Sequence, residues 1–284
     1  MNIGYACINM QLSYPQKYGG KERGVKPITT GRSMIKRTFD TKGVDYASEI
    51  TLANAMDLDK IIDWNILNDY KFFRITSGLA PWKSEYEWED LKDLKQIQMY
   101  LHSAGVKVDT HGVRITCHPG PFNVLTSPHE HVVENCVGDL TMHGETFDMM
   151  SLTRTPFNKI NIHIGGAYGD KETSMERFCK NFERLPDSVK TRLTVENDDK
   201  ASMYSVKDLY HGVYKRIGIP IVFDYHHHRF CDGWLSRLGQ KILNLLYTIA
   251  RVVVPNNLTN QLDLKHILIM STIILITMVM ILIL

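Results

Sequence analysis

The chain has 284 residues, of which 44% are hydrophobic and 23% charged; these are the proportions of a globular protein and exclude a disordered one. Its formal net charge of +2 does not single out a class of partner. The five cysteines are an odd number without a C-x-x-C pair, which argues against a disulfide framework and a thiolate zinc site. The first residues lack the regions of a secretory signal, so no signal peptide is expected.

Short apolar segments alternate along the chain with helical patterns. The strands are predicted at 3–8, 72–75, 113–117, 160–164, 192–196 and 219–223, and the helices at roughly 48–70, 86–104, 129–152, 173–185 and 203–218. Thr173 and Glu176 have the spacing of a capping box at the start of a helix. Nearly continuous apolar strands indicate parallel pairing with both faces covered. The spacing of the strands favours a TIM-like (β/α)8 barrel over an open sheet.

Histidines and carboxylates follow several of these strands. His118 follows the third strand, His163 lies near the end of the fourth, Glu196 ends the fifth, and Asp224 follows the sixth with histidines at 226–228. Because the carboxyl ends of barrel strands meet at one face, these side chains are expected to converge there. Imidazole and carboxylate together suit Mn²⁺, Zn²⁺ or Fe²⁺, so the pattern predicts a metal cluster.

Each of these residues also has an ordinary structural interpretation. A single His118 or His163 is more often a hydrogen-bonded structural histidine than a ligand. Glu196 is harder to explain in this way, because a buried carboxylate is costly unless it is paired or coordinated. Alternation along an extended strand would group Asp224 with His226 and His228.

Seven segments carry a resemblance to a known family. They are "IGYACIN" (3–9), "FFRIT" (72–76), "CHPG" (117–120), "NVLTSP" (123–128), "HIGGAYGDK" (163–171), "VENDD" (195–199) and "VFDYHHHRFC" (222–231). In order and spacing, residues 1 to about 232 resemble the ultraviolet damage endonuclease family of phage and bacterial type. The resemblance implies a TIM-like barrel that nicks DNA immediately 5′ of cyclobutane pyrimidine dimers and 6-4 photoproducts. It also implies a cluster of divalent metal ions, most commonly Mn²⁺, with two or three ions in the family and an equal or smaller number here.

The resemblance also implies roles for particular residues. The metal ligands would be His118, His163, Glu196, Asp224 and His227. Among them, Glu196, Asp224 and His227 would take part in catalysis. The role of His227 comes from the resemblance, since strand alternation favours its two neighbours.

Lesion recognition would involve a second group of residues. Tyr5 and Asn9 fall where the family places residues near the lesion, and Phe122 would be a wedge or stacking residue, or only an aromatic that closes its loop. The family usually has a glutamine after "HPG", whereas this chain has Pro121. Its lesion recognition is therefore expected to be weaker or different.

A basic segment runs from Lys17 to Arg37, with seven Lys and Arg residues against the single acid Glu22. Its functional interpretation is contact with DNA phosphates, by Lys17, Lys21, Arg23 and Lys26. A solvated, flexible loop would explain the composition equally well.

The family motifs are absent after Cys231, where the resemblance implies two further strands with another histidine, a carboxylated lysine and a glutamate. Here no glutamate follows Glu196. A barrel that is incomplete or altered at its C-terminal units is therefore expected over residues 1–232, followed by a divergent segment at 233–266. Residues 267–284 form an uncharged hydrophobic tail that is long enough to be a transmembrane helix. A membrane-tethered variant, a decayed copy and a frame-shifted product would all fit this C-terminus.

The preferred hypothesis is a metal-dependent DNA repair endonuclease that acts on duplex DNA with UV lesions. The alternatives are an inactive or membrane-tethered homologue that binds DNA without cutting it, or another His/Glu/Asp barrel enzyme such as an abasic-site endonuclease or a sugar isomerase. The expected location is the cytoplasm of a cell or of a host, or a membrane if the tail inserts. The sequence indicates no protein partner.

Overall fold

Six short parallel strands form one sheet in the computed structural model, which describes residues 4–18 and 24–231. They pair in sequence order and are β1 (Gly4–Ala6), β2 (Phe72–Ile75), β3 (Arg114–Cys117), β4 (Ile160–Ile162), β5 (Leu193–Glu196) and β6 (Ile221–Val222). All five pairings are parallel, with helices in the connections. This topology is that of a TIM-like barrel wall, and it confirms the predicted fold class.

The helices of the described residues are α1 (Met10–Ser13), α2 (Lys36–Leu67), α3 (Leu94–Thr110), α4 (Glu130–Met149), α5 (Lys171–Phe182), α6 (Asp187–Lys190), α7 (Val206–Leu209), α8 (Lys215–Ile217) and α9 (Tyr225–His228). A π-helical turn, Tyr210–Tyr214, joins α7 to α8. Helix α2 begins earlier than predicted and kinks at Gly43, whose φ of 66° is a left-handed conformation that suits glycine.

The start of α5 differs from its prediction. Asp170 is the N-cap, and its side chain accepts hydrogen bonds from the backbone N–H groups of Glu172 and Thr173. Thr173 therefore lies inside the first turn and does not begin the helix. The predicted capping box was wrong because a stronger cap lies three residues earlier.

The two faces of the strands differ in character. Phe73, Ile115 and Leu193 are fully buried and join helix residues such as Leu58 and Leu101 in one hydrophobic core. Strand residues alternate between faces, so the intervening positions point to the opposite side. That side carries the candidate site at the carboxyl ends of the strands.

Several predictions fall outside the described residues. They are the divergent segment at 233–266, the hydrophobic tail at 267–284, and the incompleteness of the barrel. Within residues 4–18 and 24–231, none of the helices combines the length and apolar character that crossing a bilayer requires.

Candidate metal centre

The five predicted ligands line one cavity of about 720 Å³ at the carboxyl ends of the strands. His118 directly follows β3, His163 directly follows β4, and Glu196 is the last residue of β5. Asp224 lies between β6 and α9, and His227 lies within α9. Parallel pairing therefore brings together residues that are up to 109 positions apart, since 227 minus 118 is 109.

Glu196 is the central member of this cluster. One set of candidate ligands contains His118, His163 and Glu196, and a second contains Glu196, Asp224 and His227; within each set the ligand atoms lie within 4.8 Å of one another. The distance from His118 Nε2 to Glu196 Oε2 is 3.6 Å. Glu196 is thus the residue shared by both sets of candidate ligands.

His227 reaches the cluster because the chain turns into a helix directly after β6. Asp224 is the N-cap of α9, and its Oδ1 accepts a hydrogen bond of 2.9 Å from the backbone N–H of His227. The two side chains thus lie on the same side of one helical turn. The grouping of Asp224 with His226 and His228 by strand alternation was wrong, because the extended conformation ends at Asp224. His228 instead is buried and packs against Phe223.

Backbone carbonyls orient two of the three imidazoles. The Nδ1 atom of His118 lies 3.1 Å from the carbonyl oxygen of Pro119, and that of His227 lies 2.9 Å from the carbonyl oxygen of Asn197. A carbonyl oxygen can only accept, so each of these contacts favours the neutral tautomer with the proton on Nδ1. Each Nε2 then keeps its lone pair, which is the form of histidine that binds a metal ion.

Two further side chains hold the cluster from outside. Asp198 Oδ1 lies 3.2 Å from Nδ1 of His163, a buried atom without a well-aligned hydrogen bond among the described residues. Asn161 donates from its amide to Glu196, and it accepts a hydrogen bond of 2.7 Å from the hydroxyl of Thr194. Sequence reasoning singled out neither Asp198 nor Asn161. The sequence did contain a signal for both, because Asp198 lies two residues after Glu196 and Asn161 lies two residues before His163.

The cluster keeps Glu196 ionised. Burial by itself raises the pKa of this carboxyl, but the imidazoles of His118 and His163 and the amide of Asn161 bring it down to about 2. Burial opposes protonation of His163, yet Asp198 and Glu196 raise its pKa. Glu196 is therefore an anion throughout the neutral range and is available to a cation.

The donor set fits a divalent transition metal. It consists of three imidazoles and two carboxylates, without a thiolate, and each imidazole has an acceptor beside its Nδ1 atom. Such outer partners are typical of metal-binding histidines.

The lining of this cavity includes neither Tyr5 nor Asn9 among the described residues. The Tyr5 hydroxyl donates to Asn65 and accepts from Asn9, and burial raises its pKa to about 12. Asn9 is buried and caps α1 through Leu12 N–H. Their place beside a lesion stays a prediction.

The loop after His118 lies at the mouth of the cavity. Pro121 and Asn123 line it, while the Phe122 side chain between them is 86% exposed. Asn123 donates a hydrogen bond of 2.7 Å to Asp139 in α4, which ties the loop to the barrel. Phe122 is therefore presented to solvent on an anchored loop.

The basic segment divides into two kinds of cation. Lys17 and Lys26 are exposed, whereas Lys21 and Arg23 lie outside the described residues. Arg32 forms an ion pair of 2.6 Å with Asp57 and is structural. Phosphate contact by the segment stays a prediction for Lys17, Lys21, Arg23 and Lys26.

Known proteins with similar sequences or structures carry related names. A "UV-damage endonuclease" from Schizosaccharomyces pombe is 32% identical over 91% of this chain and 41% of its own length. A "UV DNA damage endonuclease" from Clostridium perfringens is 33% identical over 87% of this chain and 54% of its own. The chain thus spans about half the length of these curated relatives. The crystal structure of SacUVDE superposes with a TM-score of 0.68 at 29% identity, covering 86% of this chain and 76% of that one.

The family model described as UV-endonuclease UvdE matches residues 1–254. The match therefore extends past Cys231, the last residue of the quoted motifs. Motifs with reactive side chains mark only part of a family's likeness, whereas a family model also scores the apolar positions. With this match over most of its length, the chain belongs to the UV-endonuclease UvdE family.

Proposed function

We propose that the chain is a DNA repair endonuclease that nicks the phosphodiester bond immediately 5′ of UV photoproducts with the help of divalent metal ions. The observation that carries the proposal is the convergence of His118, His163, Glu196, Asp224 and His227 in one cavity of a chain that belongs to the family. The relatives' names supply the DNA substrate and the lesion.

The proposed metal is Mn²⁺, held by these five side chains. When bound, divalent ions would supply an activated water and neutralise the charge that develops on the phosphate during hydrolysis. The residues of the chain would do the positioning. Glu196, Asp224 and His227 would take part in catalysis, and Asn161 holds the Glu196 carboxylate in place.

Access to the lesion would depend on the loop at the cavity mouth. A photoproduct is stacked inside a duplex, and bringing it to an enzyme costs least where base pairing is already weakened. Phe122, exposed on its anchored loop, would insert into the base stack. Lys17 and Lys26 would contact the backbone phosphates.

The test is incision of a duplex with a single defined photoproduct in the presence of Mn²⁺. We expect a single nick immediately 5′ of the lesion, no nick in the undamaged duplex, and loss of nicking in His118→Ala and Glu196→Ala. His131→Ala, at an exposed histidine of α4, is the matched control and should leave nicking unchanged. A wild-type chain that binds Mn²⁺ but leaves the damaged duplex intact would contradict the proposal. Preferential cutting at an abasic site would favour the alternative function, that of an abasic-site endonuclease.

A further inference from the structure

Arg74 is a cation in the wall of the cavity that contains the five candidate ligands. It lies on β2, and its side chain lines the cavity together with those of His118 and Glu196. Its register partner on β3 is Thr116, two residues before His118, so both residues lie on the face of the sheet that carries the site. Its position thus places a guanidinium beside the ligand cluster.

The guanidinium of Arg74 lacks the partners that a structural arginine has in this fold. Within residues 4–18 and 24–231, its buried Nε atom has no hydrogen-bond partner and no carboxylate forms an ion pair with the guanidinium. Arg192 shows the contrast: its buried guanidinium donates to four backbone carbonyls and pairs with Asp148 at 2.8 Å. A buried donor without an acceptor is unfavourable in a folded protein, unless a ligand supplies the acceptor.

The chemistry of the cavity indicates what that ligand is. Among the described residues that line it, Arg74 and Lys200 are the only Arg or Lys side chains, and Lys200 is exposed. A planar guanidinium with several donors matches the non-bridging oxygens of a phosphate, to which it can donate two parallel hydrogen bonds. A phosphodiester drawn to the ligand cluster would come within the same cavity.

We propose that Arg74 binds the phosphate of the linkage that is cut. This inference rests on the proposed nuclease function and adds a substrate-binding residue to it. Arg74 would hold the phosphate against the ligand cluster and stabilise the negative charge that grows on its oxygens as the water attacks.

The experiment compares the wild type with Arg74→Gln, Arg74→Lys and the control Lys95→Gln. Lys95 is an exposed cation on α3, so its substitution removes the same charge away from the cavity. Single-turnover nicking is measured with Mn²⁺ on the photoproduct duplex. Affinity for that duplex is measured at several salt concentrations with Ca²⁺ in place of Mn²⁺, after a gel has shown that the duplex stays intact.

Arg74→Gln is expected to nick about 100-fold more slowly than the wild type. The slope of log affinity against log salt should fall by about one, because one phosphate contact is lost. Arg74→Lys should recover part of the rate, since it keeps a point charge but not the two-pronged geometry. Mn²⁺ binding, measured by electron paramagnetic resonance, should be the same in all four proteins.

Two results would overturn the proposal. A folded Arg74→Gln protein with wild-type nicking and an unchanged salt slope would show that the guanidinium does not contact the phosphate. Loss of Mn²⁺ binding with an unchanged salt slope would show instead that Arg74 supports the ligand cluster. If the wild type itself does not nick the damaged duplex, the proposed function fails, which is a different result from failure at Arg74 alone.

Discussion

Asn161 lies between a strand hydroxyl and the central carboxylate of the candidate metal site. Its amide oxygen accepts from Thr194, which fixes the orientation of the amide so that its N–H groups face Glu196. The amide thereby satisfies one lone pair of a buried anion and holds the carboxylate in one position. An outer partner of this kind affects metal affinity without touching the ion.

Asn161→Ala is expected to weaken Mn²⁺ binding by about 10- to 100-fold, because Glu196 loses the donor that orients it. Isothermal titration calorimetry with Mn²⁺ measures this directly. The control Asn135→Ala removes an exposed asparagine from α4 and should bind Mn²⁺ as the wild type does. Equal affinities in the two variants would show that Asn161 has no part in positioning Glu196.

Helix α4 is joined to the mouth of the cavity by a chain of polar side chains. Asn123 donates to Asp139, and His143 Nε2 lies 3.6 Å from the same carboxylate on the next turn of the helix. Burial opposes protonation of His143, but Cys117 and Asp139 beside it raise its pKa to about 10. The pKa of Asp139 is lowered in turn. Burial raises this pKa, but the contact with His143 lowers it by a larger amount.

The charged form of His143 should therefore stabilise the fold in a pH-dependent way. Because the pKa is raised in the folded state, the stabilisation is complete below the unfolded value of about 6.5 and disappears as the pH rises towards about 10. The stability difference between wild type and His143→Gln should be larger by at least about 1 kcal/mol at pH about 6 than at pH about 9.5.

Urea unfolding at the two pH values measures this difference. The control His131→Gln changes an exposed histidine of the same helix, so its difference in unfolding free energy from wild type should be the same at both pH values. A His143→Gln difference that does not change with pH would mean that the imidazole is neutral in the folded protein.

Helix α3 packs closely on the end of α4 through a glycine. A Cβ added at Gly105 would lie 1.7 Å from the backbone oxygen of Met150, whereas one added at Gly138 in α4 would meet nothing within 4 Å. Gly105→Ala should therefore lower the free energy of unfolding by about 1–3 kcal/mol. Gly138→Ala should raise it by about 0.5–1 kcal/mol, because alanine favours helix. Thermal unfolding of the two variants shows whether each substitution lowers or raises the stability as expected. A Gly105→Ala protein more stable than the wild type would contradict the close packing.

At the scale of the whole molecule, the strand pattern was sufficient to predict the barrel topology. All six predicted strands are present, because nearly continuous apolar runs between helical segments have few other solutions. The positions of His118, His163 and Glu196 at one face followed from the same argument. Helix boundaries were less predictable, since the early start of α2 and the cap of α5 depend on Gly43 and Asp170.

What the sequence could not supply was which further side chains face the ligand cluster. His227 enters the cluster only because Asp224 starts a helical turn, and alternation had favoured its neighbours. Asn161 and Arg74 became candidates only when the register placed them on the same face as the ligands. Tertiary pairing decides which strands and turns meet at the cluster, and a local pattern gives only the face of a strand on which a residue lies.

If these five side chains hold divalent metal in this chain, the protein should bind Mn²⁺ in solution. Electron paramagnetic resonance measures the free Mn²⁺ that remains as protein is added to the ion, for the wild type, Glu196→Gln and the control Glu134→Gln, an exposed glutamate of α4. We expect the wild type and the control to bind Mn²⁺, and Glu196→Gln to lose at least 10-fold in affinity, because Glu196 is common to both ligand sets. A wild type that leaves Mn²⁺ free, or a Glu196→Gln protein that binds it equally well, would contradict the account.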